Sequence, residues 1–493
     1  MYADIHSMVF KRRFAVNYYK NLKLQLGGMS FTTDFVNSTR GDMYPILEKS
    51  GTVRESLEKG CYCVEAEEGA GIRRLIGQYV PYSTSELMLE TLRGEAGFCY
   101  GLPDQTISLF ARNTDDGLVF GIREGAEERL YHSTLRMTAG LSILVTTRKG
   151  AFDFYCRRDR EITYVTSFEA DSFRKVMAEQ IFRNTTVALE LRGEVCLSEV
   201  SVYMDCGTTQ ADIRPVKYED GQVMMENGKV YLTISCRQAV GCYQGIVSWV
   251  PGTCEFALTG VLFFDAGDGI WENDVASSIR FDRRTGKWYL WVCSFSHGHI
   301  LGYSSMPADV RFGVNVVDLT LMKKMEEGDP DTAFLGKEGD EDPDFYYNRE
   351  QDCWYMTVCR LVREGDQSNY RYFLFRSKEP FQQYEYLDCG RAGCETGGSM
   401  VEIGGRMHFV CGSDFDKRAV YHIYDMPDFS HYDLLKCDYD DGGFRGWGTI
   451  IPCPVGSRIR YYWLTFDRYR ASELGNWSYG NLYGYEADIA EWI

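Results

Sequence analysis

Positive charge is what this chain most lacks. Its 53 Lys and Arg are outnumbered by 71 Asp and Glu, a formal net charge of −18. That balance argues against nucleic acid or an anionic membrane as a partner. A neutral substrate is not repelled by it. No run approaches the ~18 apolar residues of a membrane span, and Lys11-Arg12-Arg13 is followed by no apolar stretch of secretory-signal length. The 17 Cys are odd in number and scattered, with no CxxC pair. Reduced cysteines and a cytoplasmic location are the simplest expectation. Histidine is scarce, at seven. His297-Gly298-His299 has no Cys or acidic partner at ligand spacing, so no metal is expected there. EF-hand spacing is absent from Asp340-Glu341-Asp342 and from Asp438-Tyr439-Asp440-Asp441, which leaves a structural calcium ion unsupported. No GxSxG elbow, P-loop or dinucleotide fingerprint is found, so no cofactor is expected.

What is present is aromatic and strand-like. Hydrophobic residues make up 44% and aromatics 14% of the 493 residues, which suits a folded, strand-rich chain of two or more domains. A short aromatic strand recurs five times: Val230 to Ser235, Trp288 to Cys293, Trp354 to Cys359, Met407 to Cys411 and Tyr461 to Phe466. The spacing is roughly 55–65 residues, above the ~40–50 of common propeller repeats, and suits a four-stranded sheet with loops. Five such sheets set radially make a β-propeller, which hides sheet edges by repetition. The expected fold is therefore all-β. Residues 1–205 read as strands separated by Gly and charged turns, as in a β-sandwich, with one amphipathic helix near Asp171 to Phe182. The stretch from Gly193 to Tyr203 resembles the last strands of concanavalin-like jelly rolls. Residues 206–493 form the five-bladed propeller, with the boundary near Cys206-Gly207.

Each repeat opens on a polar segment. These are Ala211-Asp212-Ile213-Arg214-Pro215, Ile270-Trp271-Glu272-Asn273-Asp274-Val275, Glu341-Asp342-Pro343-Asp344-Phe345, Cys394-Glu395-Thr396-Gly397-Gly398-Ser399 and Gly446-Trp447-Gly448-Thr449-Ile450. In this order they resemble the five-bladed glycoside hydrolases, especially family 43 and its relatives, over residues 206–493. Pro215 comes later than the family pattern has it, Glu272-Asn273 replaces Ala-Pro, and no His lies in Gly446 to Ile450. The resemblance implies Asp212 as general base, Glu395 as general acid and Asp274 as the residue that orients the acid and tunes its pKa. It also implies inversion at a terminal pentose or furanosyl unit of a small oligosaccharide or glycoside.

The chemistry agrees with that set. Glycosidic cleavage needs a proton donor and an opposed carboxylate, ~6.5–9.5 Å apart in inverting enzymes. A third carboxylate beside the donor raises its pKa by like-charge repulsion. Trp271 and Trp447 offer apolar walls for a sugar face, and Arg214, His297 and Asp342 offer polar contacts. Each acidic position alone is equally served by a solvated turn, Asp342-Pro343 above all. Glu272, Glu341 and Asp344 are neighbours that a one-residue register error would promote. Two other functions fit the same fold. One is a phosphorylase or transglycosidase, with Arg214, Arg237 and Arg360 as candidate phosphate ligands. The other is a non-catalytic carbohydrate-binding protein.

Overall fold

The computed structural model describes residues 3–17, 19–31, 44–237, 242–322, 335, 339–364, 367–391, 395–413, 421–438, 448–466, 481–487 and 491–492. They are nearly all β-strand. The chain divides into two compact units. One is Met1–Leu22 with Cys206–Asp268 and Glu272–Ile493; the other is Lys23–Asp205 with Gly269–Trp271. Among the described residues no helix is long and apolar enough to cross a membrane.

The first unit is a five-bladed β-propeller. Blade one runs from its inner strand Thr209–Pro215 through Lys229–Arg237 and Cys242–Trp249 to Phe256–Asp265, with Gly313–Asp318 added in parallel at the rim. The inner strand of blade two is Val275–Asp282, followed by Lys287–Ser294 and Ile300–Met306. Blade three is Asp340–Asn348, Cys353–Glu364, Gln367–Ser377 and Glu385–Cys389. Blade four is Glu395–Ile403, Arg406–Ser413, Tyr421–Asp425 and Tyr432–Leu434. Blade five contains Thr449–Val455, Arg458–Phe466 and Leu482–Ala487. The five recurring aromatic segments are the second strands of the five blades. Their large side chains are sandwiched between neighbouring sheets, and Trp291, Trp354 and Trp463 are all under 2% exposed.

Blade five is completed by the beginning of the chain. Val9–Val16 pairs antiparallel with Leu482–Ala487 on one edge and parallel with Lys436–Cys437 on the other. Phe10, fully buried, meets the Trp463 ring edge-on at 6.3 Å. These residues belong to the propeller unit and not to the first domain expected over residues 1–205. A short strand with three basic residues shows only a β-pattern, and its partner lies more than 400 residues away. Blades five and one close the ring through Trp249, which meets Tyr462 edge-on at 5.4 Å.

The second unit is built on two long strands, Thr84–Gly101 and Thr186–Asp205, paired antiparallel along their length. Gly94 and Gly193 face each other with positive φ, and a Cβ at Gly94 would lie 2.1 Å from the Arg192 carbonyl oxygen. Two arms diverge from this pair within one thirteen-stranded ladder. Thr106–Thr114, Gly117–Glu124 and Gly71–Gln78 belong to one, and Leu141–Arg148, Ala151–Arg158 and Lys23–Ser30 to the other. Apolar side chains from both arms, Leu109 and Phe120 with Ile143 and Phe154, share one core. The expected helix is instead a 3-10 segment, Asp171–Met177, and a single α turn, Glu179–Phe182. Ala178 between them is extended, so the apolar residues reach the core without a continuous helix. Cys63 and Cys196, cross-strand partners with Cα atoms 4.1 Å apart, form a disulfide, where the sequence reading expected thiols throughout.

Candidate functional site

The inner strands of the first four blades each carry a bulge near their start. The register slips between Ala211 and Arg214, Val275 and Ser278, Glu341 and Asp344, and Thr396 and Ser399. One residue in each bulge is left-handed: Asp212 (φ 56°), Ala276 (60°), Asp342 (50°) and Gly397 (60°). A bulge of this kind needs such a residue, and Gly or Asp takes it at least cost. The bulges define which positions correspond. Asp212 matches Asp342. Asp274 matches Asp340 and Glu395, two residues earlier in their strands. Reading the opening segments as one acidic row merged these two levels, because the bulge breaks the period-two alternation that sequence reading relies on.

Asp342 is the carboxylate that links the candidate strands. Its Oδ1 lies 3.3 Å from Nη2 of Arg214, two residues beyond Asp212. Its Oδ2 accepts the Gly397 N–H at 3.2 Å and the Thr396 hydroxyl at 3.4 Å, on the strand that begins with Glu395. Arg214 is buried and donates to the bulge carbonyls of three other blades: Ala276 at 3.2 Å, Pro343 at 3.4 Å and Gly398 at 3.1 Å. Burial opposes its charge, but Asp342, Tyr372, Asp344 and Asp212 outweigh that and hold its pKa above the usual value. Asp212 itself is 4% exposed and accepts the Ser235 hydroxyl at 2.6 Å.

The axis nearby is packed with polar groups from every blade. Asp344 accepts the Ser278 hydroxyl at 2.6 Å and the Met400 N–H at 2.7 Å, pairs with Arg280, and lies 3.4 Å from Lys217 Nζ. Ser399 meets Thr449 of blade five at 3.0 Å. Burial would raise the Asp344 pKa, but Arg280, Lys217 and Arg214 hold it well below the usual range.

The other expected residues are placed as follows. Glu395 is fully buried. Its carboxylate accepts the Tyr372 N–H at 3.1 Å and the Tyr424 hydroxyl, and a Cβ at Gly390 would lie 1.9 Å from its Oε2. Asp274 is 2% exposed and accepts the hydroxyls of Ser294 at 2.7 Å and Ser296 at 2.9 Å, plus the Ser296 N–H at 3.1 Å. Burial raises its pKa, partly offset by those bonds and by His297. His297 Nδ1 reaches the same two hydroxyls at 2.9 and 3.1 Å. His299 pairs with Glu341 at 2.8 Å; burial disfavours its charged form, but Glu341 wins and raises its pKa. Trp271 belongs to the second unit, where its ring packs on Phe182 at 4.1 Å and under Arg183. Trp447 lies outside the described residues.

Of the suggested phosphate ligands, Arg360 is committed to Asp340 at 2.5 and 2.9 Å in a buried pair. The Arg237 side chain lies outside the described residues. Sequence reading missed the linking position of Asp342 and the part played by Tyr372 and Tyr424. The Asp342-Pro343 dipeptide inside an inner strand was the available signal for the first, and no local signal marks the tyrosines. Among the described residues no triad of His, Cys and carboxylate ligands close enough for one ion involves these groups.

No family model and no curated protein matches the sequence. Solved structures do resemble this one. A thermostable family-43 glycoside hydrolase aligns over 58% of this chain and 94% of its own, at 13% identity and a TM-score of 0.37. Bacillus subtilis levansucrase aligns over 58% and 86%, at 10% identity and 0.39. A family 117 glycoside hydrolase from the marine bacterium Zobellia galactanivorans aligns over 57% and 85%, at 12% identity and 0.38.

Proposed function

We propose that the chain is a glycosidase that removes a terminal sugar, a pentose or furanosyl unit, with inversion. Asp212 is the general base, Glu395 the general acid and Asp342 the carboxylate that orients the acid. The observation that carries this reading is the two-sided contact of Asp342, which touches Arg214 on the Asp212 strand and Gly397 on the Glu395 strand. One carboxylate thus fixes the spacing of the two candidate reacting strands, as a two-carboxylate mechanism requires. This gives Asp342 the role that the family resemblance had implied for Asp274. The Lys23–Asp205 unit is read as an accessory β-sandwich.

A second assignment of the acid has its own support. Asp274 holds its proton more tightly than an ordinary carboxyl because of burial, which suits a donor. The deciding experiment is turnover of aryl arabinofuranosides, xylosides, fructosides, galactosides and fucosides, with and without phosphate. Asp212→Asn and Glu395→Gln should each lose about 10²–10⁴-fold in kcat, the usual worth of a general acid or base. If Glu395→Gln keeps its activity and Asp274→Asn loses it, the acid is Asp274. If all the single variants keep full activity on a confirmed substrate, the carboxylate mechanism is wrong. Turnover that requires phosphate would make the enzyme a phosphorylase, and tight binding without turnover would make it a lectin-like protein.

A further inference from the structure

Three of the seven histidines gather where the start of the chain meets blade four. His6 sits in the 3-10 turn Ile5–Ser7, whose N-terminus is capped by Asp4. His408 and Asp425 are cross-strand partners in blade four. His431 immediately precedes the last strand of that blade, which carries Asp433. The ligand atoms of His6, His431 and Asp433 all lie within 4.8 Å of one another. The His6 and His431 rings meet edge-to-face at 4.7 Å.

The hydrogen bonds around His6 decide what the group is built for. Asp425 Oδ1 lies 3.0 Å from His6 Nε2 and 2.8 Å from His408 Nδ1. A carboxylate accepts, so both of those nitrogens carry hydrogen. The Asp425 contact uses His6 Nε2 and leaves Nδ1 as the other ring nitrogen. That atom is buried, has no hydrogen-bond partner, and faces Asp433 Oδ2 at 3.4 Å. A cation shared by that nitrogen and the carboxylate oxygen fits this distance. Ligand atoms on a tetrahedral zinc at ~2.0–2.2 Å stand about 3.4 Å apart, which matches this separation. The Asp425–His6 contact is also the carboxylate–imidazole arrangement that orients metal-bound histidines.

We propose that His6 Nδ1, His431 and Asp433 bind one divalent transition-metal ion, with Zn²⁺ the best fit to two imidazoles and one carboxylate. Asp425 is the positioning residue that holds His6. Water fills the fourth position. The ion pins the turn that leads into Val9–Val16, the strand that completes blade five, and so fastens the closure of the ring to blade four.

The test uses full-length protein stripped with EDTA and titrated with zinc chloride by calorimetry, alongside thermal unfolding. The expected result is one Zn²⁺ per chain and a higher Tm with zinc, neither reproduced by Ca²⁺ or Mg²⁺. His431 is exposed, so His431→Gln should fold normally by circular dichroism and bind at least ten-fold more weakly, as should Asp433→Asn. Asp425→Asn should cost roughly 10–100-fold in affinity. His132→Gln, at an exposed position elsewhere, should bind like wild type. No stoichiometric zinc binding, or equal binding by His431→Gln and Asp433→Asn, overturns the proposal and leaves His6 as a hydrogen-bonding residue between two carboxylates.

Discussion

Lys217 is an ammonium buried at the propeller axis, and its removal should change how stability depends on pH. Burial pushes its pKa down to about 7; Asp344 pulls the other way, and Arg280 and Arg214 add to the burial effect. In the unfolded chain a lysine titrates near 10.4. Between about pH 7 and that value the unfolded chain therefore holds a proton that the folded chain has lost. Stability rises with pH wherever the unfolded state binds more protons. It should climb through this window and flatten below about pH 7, where both states are charged. At ~1.4 kcal/mol per factor of ten, the climb amounts to about 5 kcal/mol. Lys217→Met removes the titrating group and keeps the aliphatic stem. Asp344 retains the Ser278 hydroxyl, the Met400 N–H and Arg280. The assay is calorimetric Tm of wild type and variant at one scan rate from pH 6 to 10. The Tm of the variant minus that of wild type should fall steadily as pH rises from 7. A difference that stays constant across that range refutes the buried-ammonium argument.

Two further substitutions probe the same framework. Arg360→Met removes the guanidinium that pairs with buried Asp340 at 2.5 and 2.9 Å and should cost about 3–5 kcal/mol. Arg360→Met combined with Asp340→Leu should recover part of that loss, and a double variant no more stable than the single one would show that the pair is not the reason. Phe10→Ala empties a fully buried site against Trp463 and should cost about 3–5 kcal/mol. Limited proteolysis should then cut the first strand well before the blades. If its cleavage rate matches wild type, the strand is not held as described.

The blades were legible because a second strand walled by sheets on both sides must be aromatic and β-branched, and Trp291, Trp354 and Trp463 stand in such runs. What escaped detection was non-local or broke the local period. Val9–Val16 finds its partner at the other end of the chain. Gly313–Asp318 and Lys436–Cys437 are parallel rim strands, which leave no hairpin signal. The 3-10 segment at Asp171–Met177 places apolar residues at nearly helical spacing, and its 3-10 winding and the extended Ala178 after it set it apart from the expected α-helix. At the site, the identity of the acidic residues could be read from sequence but their level on the strand could not. One left-handed residue per bulge moves Asp274 and Glu395 out of the row that holds Asp212 and Asp342. Trp271 had the right neighbours in sequence and the wrong ones in space, because Gly269–Trp271 joins the other unit. The zinc ligands are spread from residue 6 to residue 433, and no spacing rule could have gathered them.

The left-handed bulge also makes Asp212 a clean place to separate structure from chemistry. A non-glycine residue there holds a conformation that costs roughly 1–2 kcal/mol, with Asn and Asp the most tolerant after Gly. Blade two shows that even alanine can be held in it, since Ala276 occupies the equivalent position. Asp212→Asn keeps the shape, the tolerance of positive φ and an oxygen to accept the Ser235 hydroxyl. Its effect on Tm should therefore be small, within about 1 kcal/mol at the transition. A general base stripped of its charge should nevertheless lose about 10²–10⁴-fold in kcat. Asp212→Gly relaxes the backbone but gives up the contact with Ser235, and it should be equally inactive and no less folded. If instead activity across Asn, Gly and Ala substitutions rises and falls with Tm, the carboxylate serves the bulge and not the reaction. Strained residues are often kept where function needs them, and at this position the two explanations predict different orders for the same three variants.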